Sequence, residues 1–167
     1  MNQTGHPSGQ VYGGPAEGWR EVHSVAHVLD LKGREVFTIV PDATVDEAVI
    51  ELCRHKVGAL LVVDDKKKPV GMLSERDLLI RVLLSHRNPS ITRVSQVMTR
   101  HVVCVGEPDS IQSAMAIMTH ARCRHLPVMG DGIVGMISIG DLVRALSCDH
   151  EYELRALHEY IEGRYPC

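Results

Sequence analysis

Two short stretches of this chain place a hydroxyl and a carboxylate at the same spacing: Ser74-Glu75-Arg76-Asp77 and Ser138-Ile139-Gly140-Asp141. Each follows an apolar run and opens an amphipathic segment, so each serine falls where a strand ends and a helix begins. There the first backbone N–H groups lack an intrahelical acceptor and the helix dipole is positive, which suits a phosphate. The serine hydroxyl adds a donor, and the aspartate adds a carboxylate facing the same entrance. The same residues also make an ordinary helix cap that satisfies those N–H groups without a ligand. The two roles are compatible, since a cap can exchange a backbone bond for a ligand bond.

Other reactive residues form weaker patterns. His120, Cys123 and His125 lie close together but match no closed zinc spacing, so no metal site is expected. The five cysteines (Cys53, Cys104, Cys123, Cys148, Cys167) are scattered and never form C-x-x-C. That usage suits reduced thiols in a cytoplasmic protein better than a disulfide framework. There is no Gly-x-Ser-x-Gly elbow, Walker loop, Rossmann glycine fingerprint or plausible catalytic Cys-His pair, so an enzyme is the distant reading.

The elements that position the two Ser-x-x-Asp stretches come from an internal duplication. Val45, Ala48, Val49 and Leu52 map onto Ile111, Ala114, Met115 and Met118, each set spaced as one buried stripe of a helix. Thr44 and Ser110 are hydroxyl N-caps, and Glu47 completes a capping box in the first copy. Each helix precedes two apolar runs around a polar turn: 59–63 and 69–73 around 64–68, then 126–129 and 133–137 around 130–132. These read as hairpins buried on at least one face, the first with Lys66-Lys67-Lys68 at a solvated tip. A further strand is expected before each unit, near Val36–Val40 and Val102–Val105. The order per repeat is β-α-β-β-α, an α+β fold. A unit of about 60 residues buries too little surface to stand comfortably alone, so the copies should share one core around a pseudo-twofold axis. Met115, Met118 and Met136 are read as core filler.

Composition narrows the function. Of 167 residues, 44% are hydrophobic but only 4% aromatic, so the core is aliphatic and offers little for stacking bases. A formal charge of −3 argues against a nucleic-acid partner. No run of about 18 apolar residues would span a membrane, and the N-terminus lacks a signal-peptide pattern. Residues 1–20, rich in Gly, Pro, Ser and Gln, read as a disordered tail. Glu21 to Leu29 reads as a short helix leading into the first repeat, where Val25 and Val28 mirror Val94 and Val97 ahead of the second. Residues 149–167 carry Leu154, Leu157 and Ile161 on a helical stripe that would cover the body or pair with a second subunit.

The duplicated hairpin followed by Gly-hydrophobic-hydrophobic-Ser-x-x-Asp (Gly71 to Asp77 and Gly135 to Asp141) resembles CBS domains, named for the regulatory part of cystathionine β-synthase. Arg124-His125-Leu126-Pro127-Val128 looks like that family's second-strand signature. The tail Leu157-x-x-Tyr160-Ile161-x-Gly163-x-Tyr165-Pro166 is similar to a group of small stand-alone two-CBS proteins. The resemblance divides the chain into CBS repeats at 21–93 and 94–148, packed as a Bateman module. It implies adenine-nucleotide binding in clefts between the repeats (AMP or NAD(H) favoured, with ADP, ATP or S-adenosylmethionine open), no required cofactor, homodimerisation and a regulated protein partner. A ligand-independent dimerisation module is the alternative. On this basis Ser74 and Ser138 would meet phosphate and Asp77 and Asp141 ribose hydroxyls. Adenine would lie among aliphatic side chains, against backbone near Thr38–Val40 or Val103–Val105, with Ala59 and Pro127 on the strands alongside. The copies differ in charge: Arg124 and His125 replace Gly58 and Ala59, and Arg76 replaces Gly140. If the Arg124 strand faces Ser74 and Asp77, one cleft gathers Arg76, Arg124 and His125, while the cleft with Ser138 and Asp141 holds few cations.

Overall fold

The computed structural model describes residues 24–147; the expected N-terminal tail and C-terminal helix lie outside the described residues. Chain order is α1 (Val25–Lys32), β1 (Thr38–Ile39), α2 (Val45–His55), β2 (Ala59–Val63), β3 (Pro69–Ser74) and α3 (Glu75–Asp77), which runs straight into a π-helical turn at Leu78–Leu83. Then follow α4 (Val94–Val97), β4 (Val105–Gly106), α5 (Ile111–Ala121), β5 (His125–Met129), β6 (Ile133–Ser138) and a last helix, α6, over 139–147. The β-α-β-β-α order therefore occurs twice. Each repeat forms a three-stranded mixed sheet: β1 runs parallel to β2 and β4 to β5, while β2–β3 and β5–β6 are antiparallel hairpins. Among the described residues no helix is long and apolar enough to cross a membrane.

Local chemistry explains the elements. Glu47 N donates to Thr44 Oγ1 (3.2 Å) and Thr44 N to the Glu47 carboxylate (2.6 Å), closing the capping box on α2. Ser110 accepts from Ser113 N (3.1 Å) on α5 without a returning carboxylate. Both helices end on a left-handed residue, Lys56 (φ 53°) and Arg122 (φ 51°). Val45, Ala48 and Leu52 are buried, as are Ile111, Ala114 and Met118; Val49, expected on the stripe, is instead 39% exposed at its edge. The leading strands are also shorter than expected, two residues each. Only Thr38 and Ile39 pair with Leu61 and Val62, and only Val105 and Gly106 with Val128 and Met129.

The helices α1 and α4 exchange places. Sequence order suggests that α1 leads into the first repeat, yet Val25, Val28 and Leu29 are buried in the core of the second, with Val105, Ile111, Leu126 and Ile137. Val94, Val97 and Met98 lie in the core of the first, with Ile39, Val45, Leu60 and Leu73. The anchoring is reciprocal: Val25 N donates to Asp109 O (2.8 Å) and Val94 N to Ala43 O (2.9 Å), Asp109 and Ala43 being matching positions of the two copies. The connection between the first repeat and α4 fits this arrangement. A tight segment closed by Thr92 N and Oγ1 donating to Asn88 O (3.0 and 2.7 Å) turns the chain back onto the first repeat, leaving the equivalent place on the second for α1. A third cluster, Leu61, Val63 and Met136 with Val36, Met72, Val102 and Ile133, joins the two sheets into one body.

The glycine three residues before each Ser-x-x-Asp stretch now has a reason. A Cβ on Gly135 would sit 2.6 Å from Leu29 Cδ2, and one on Gly71 2.5 Å from Met98 Sδ and 3.1 Å from the Thr99 carbonyl. Each glycine is the place where the exchanged segment lies directly on the sheet.

Candidate functional site

Both serines cap helices, and both carboxylates answer them. Asp77 N donates to Ser74 Oγ (3.3 Å), while Ser74 N (3.0 Å) and Ser74 Oγ (2.6 Å) donate to Asp77 Oδ2. The second copy repeats this: Asp141 N to Ser138 Oγ at 3.2 Å, Ser138 N and Oγ to Asp141 Oδ2 at 2.7 and 2.8 Å. The caps differ in what remains free. Asp77 Oδ1 accepts from Thr99 Oγ1 (3.2 Å) and lies 3.5 Å from Arg81 Nε, so both carboxylate oxygens are engaged. Asp141 Oδ2 also receives Lys32 Nζ at 3.1 Å, whereas its Oδ1 has no partner among the described residues. Burial opposes the Asp141 charge, but the Ser138 N–H, the Ser138 hydroxyl and Lys32 together outweigh it and hold the carboxyl below its ordinary range.

Cleft one, about 460 Å³, is built from both repeats. Ser74, Arg76, Asp77 and Arg81 come from the first half, and Thr99, Val103, Arg122, Arg124 and His125 from the segment after it. Arg124, immediately before β5, lines the same cleft as the first Ser-x-x-Asp stretch. Arg81 is committed to structure: its guanidinium donates to Val97 O (3.0 Å) and Met98 O (2.7 Å). Arg76, Arg122 and Arg124 are exposed and make no ion pair or side-chain hydrogen bond among the described residues. Cleft one is therefore a polar hollow with three uncommitted guanidinium groups beside a helix entrance. Its volume falls in the range of small-molecule sites, about 300–1,000 Å³.

Cleft two is smaller, about 280 Å³, and holds Ala59, His125, Ser138 and Asp141. Lys32 and Lys56 also line it, correcting the expectation of few cations. The exchange of α1 supplies Lys32, and the left-handed end of α2 supplies Lys56; neither follows from the Ser-x-x-Asp stretch itself. Lys32 is neutralised by Asp141, so the uncommitted positive charge remains greater in cleft one.

His125 lines both clefts. Burial lowers its pKa, Arg124 and Lys32 lower it further, and Asp141 and Glu75 pull the other way. Its net direction is toward the neutral imidazole. Thr38, Val40, Val105 and Pro127 line neither cleft: Thr38 and Val40 are exposed at the edge of β1, Pro127 is buried within β5, and Val105 is in the second core. Arg81, Thr99, Arg122, Lys32 and Lys56 were not found from the sequence. One signal existed for two of them: Lys56 and Arg122 are basic residues at the matching ends of the duplicated helices.

Two β-α-β-β-α units with exchanged leading helices and clefts lined by both of them define a tandem-repeat module. The chain belongs to the CBS domain family: the family model matches residues 28–84 and 94–148. It is similar to the CBS domain-containing protein CBSX3, mitochondrial, of Arabidopsis thaliana, with 36% identity over 87% of this chain and 75% of that protein. It also resembles the structure of a putative signal-transduction protein with CBS domains from Burkholderia ambifaria (38% identity, TM-score 0.72, covering 75% of this chain and 95% of that one). The fold is shared with the CBS domain pair of protein MJ0100, solved in complex with 5′-methylthioadenosine and S-adenosyl-L-methionine (22% identity, TM-score 0.67, covering 75% and 97%).

Proposed function

We propose that this chain is a non-enzymatic sensor that binds a phosphate-bearing adenine nucleotide in cleft one and transmits its presence to a partner protein. The observation that carries this reading is that Arg76, Arg122 and Arg124, none with an ion pair among the described residues, line the same cleft as the helix entrance at Ser74. Exposed guanidinium groups around a concave site fit a phosphate's geometry and charge. AMP and NAD(H) are the favoured ligands, because one or two phosphates would reach these arginines while the adenosine lies along Met72, Val102 and Val103. Cleft two, smaller and with its lysine–carboxylate pair already made, is the weaker or differently selective site. The MJ0100 pair, with its adenosine ligands, supports the ligand class.

Signalling would follow from a ligand preferring one arrangement of the repeats, or of a homodimer, over another. A cytoplasmic location is part of the same reading. The fully closed caps at Ser74 and Ser138 favour a second reading, a dimerisation module in which Ser-x-x-Asp is structural alone. A thermal-shift screen with AMP, ADP, ATP, NAD, NADH and S-adenosylmethionine separates the two. A ligand at 100 times its Kd adds about 2.7 kcal/mol of stability. The sensor reading expects a rise with a phosphorylated compound that is lost in Arg124→Ala. No shift with any of the six leaves the dimerisation reading.

A further inference from the structure

Gly58 and His125 are the two residues common to both clefts. Gly58 lies on the connection entering β2, its carbonyl accepting from Glu75 N (3.1 Å), and His125 opens β5 of the other repeat. A Cβ on Gly58 would stand 3.3 Å from His125 Cε1 and 3.6 Å from Nε2, so the imidazole rests on the Gly58 backbone with no side chain between. The His125 ring and the Gly58 backbone beneath it are thus the wall that both hollows share. Around the ring are Arg124 just before it in the chain, Lys32 of α1, Glu75 of α3 and Asp141 of α6: two positive and two negative groups. His101, Arg122 and Cys123 on the cleft-one side and Glu35 and Lys56 on the other complete the titratable and charged surroundings, with Arg76, Arg81 and Asp77 farther along cleft one. No single partner fixes the ring, since no hydrogen bond to its nitrogens occurs among the described residues.

We infer that the His125 ring, seated on Gly58, is a movable partition that couples the two clefts, so that a ligand filling cleft one weakens binding in cleft two. This inference rests on the nucleotide-binding reading above. Space on the two sides of one ring is shared: a ligand that presses the imidazole out of cleft one narrows a neighbour of only about 280 Å³. Coupling between sites is reciprocal and commonly about five-fold or more.

The test uses AMP and reads each cleft separately by methyl NMR, at Ile80 in cleft one and Met136 in cleft two. The double variant Arg76→Glu/Arg122→Glu disables cleft one at exposed residues and leaves Gly58 and His125 themselves unaltered. Cleft two is expected to bind AMP about five-fold more tightly in that variant than in the native chain. The difference should disappear when both proteins also carry His125→Ala. Equal cleft-two affinities in the first comparison overturn the coupling. A difference that persists without the imidazole overturns the role of His125. If neither methyl responds to AMP, the nucleotide reading falls and the coupling falls with it.

Discussion

Replacing Gly135 with alanine tests the exchanged-helix architecture directly. The new methyl would lie 2.6 Å from Leu29 Cδ2 and 2.9 Å from Cδ1, and Leu29 is fully buried, so its branched end has nowhere to swing. Over-packing of this kind costs about 1–3 kcal/mol. Against it stands about 0.4–1 kcal/mol from the lower entropy of the unfolded alanine chain, available because Gly135 does not need a left-handed backbone. The steric cost wins, and the net loss is about 1–2 kcal/mol. In a thermal melt followed by circular dichroism this lowers Tm by about 2–8 °C. Gly132→Ala is the control: nothing lies within 4 Å of its Cβ position, so it should melt at or slightly above the native temperature. A double-mutant cycle locates the cause, because Leu29→Ala should cost markedly less in the Gly135→Ala background than alone. If Gly135→Ala melts with Gly132→Ala, or its effect adds to that of Leu29→Ala, α1 does not lie on β6 as described.

Three further outcomes follow from particular contacts. His125 has a folded-state pKa below its unfolded value of about 6.5, so its stabilising effect is complete above that pH and declines as pH falls through it. Melting from pH 7.5 to 5.5 should show a slope that flattens in His125→Gln, and parallel slopes would contradict its burial as a neutral ring. Arg81→Ala strips two carbonyls, Val97 O and Met98 O, of a charged donor and should cost about 1.5–3 kcal/mol in urea unfolding; a loss below about 0.5 kcal/mol would show that water replaces it. Thr44→Ala breaks a reciprocal box and Ser110→Ala a one-way cap, so both should lose about 0.5–2 kcal/mol, with the larger loss at Thr44. Equal losses would mean that Glu47 adds nothing.

Much of the architecture was already legible as a one-dimensional pattern. The spacing of Val45, Ala48 and Leu52 and its echo at Ile111, Ala114 and Met118 require two helices with one buried face, because burial repeats with the helical turn. The hairpins and the Ser-x-x-Asp caps were also legible, since turns and caps depend on neighbours a few residues away. The charge difference between the copies was legible as well, but the meeting of Arg124 with Ser74 stood there only as a condition suggested by the family resemblance.

What tertiary structure alone decided involves residues far apart in the chain. The place of α1 on the second repeat depends on how the segment after α3 turns back, and no local preference of Val25–Lys32 encodes it. That exchange carries Lys32 to Asp141 and changes the electrostatics of cleft two. The commitment of Arg81 to two backbone carbonyls, and the lack of a partner for Arg76, Arg122 and Arg124 among the described residues, likewise depend on which acceptors the fold brings within reach. All are arginines in the sequence, and only their surroundings separate a structural tie from a charge left open at the Ser74 entrance.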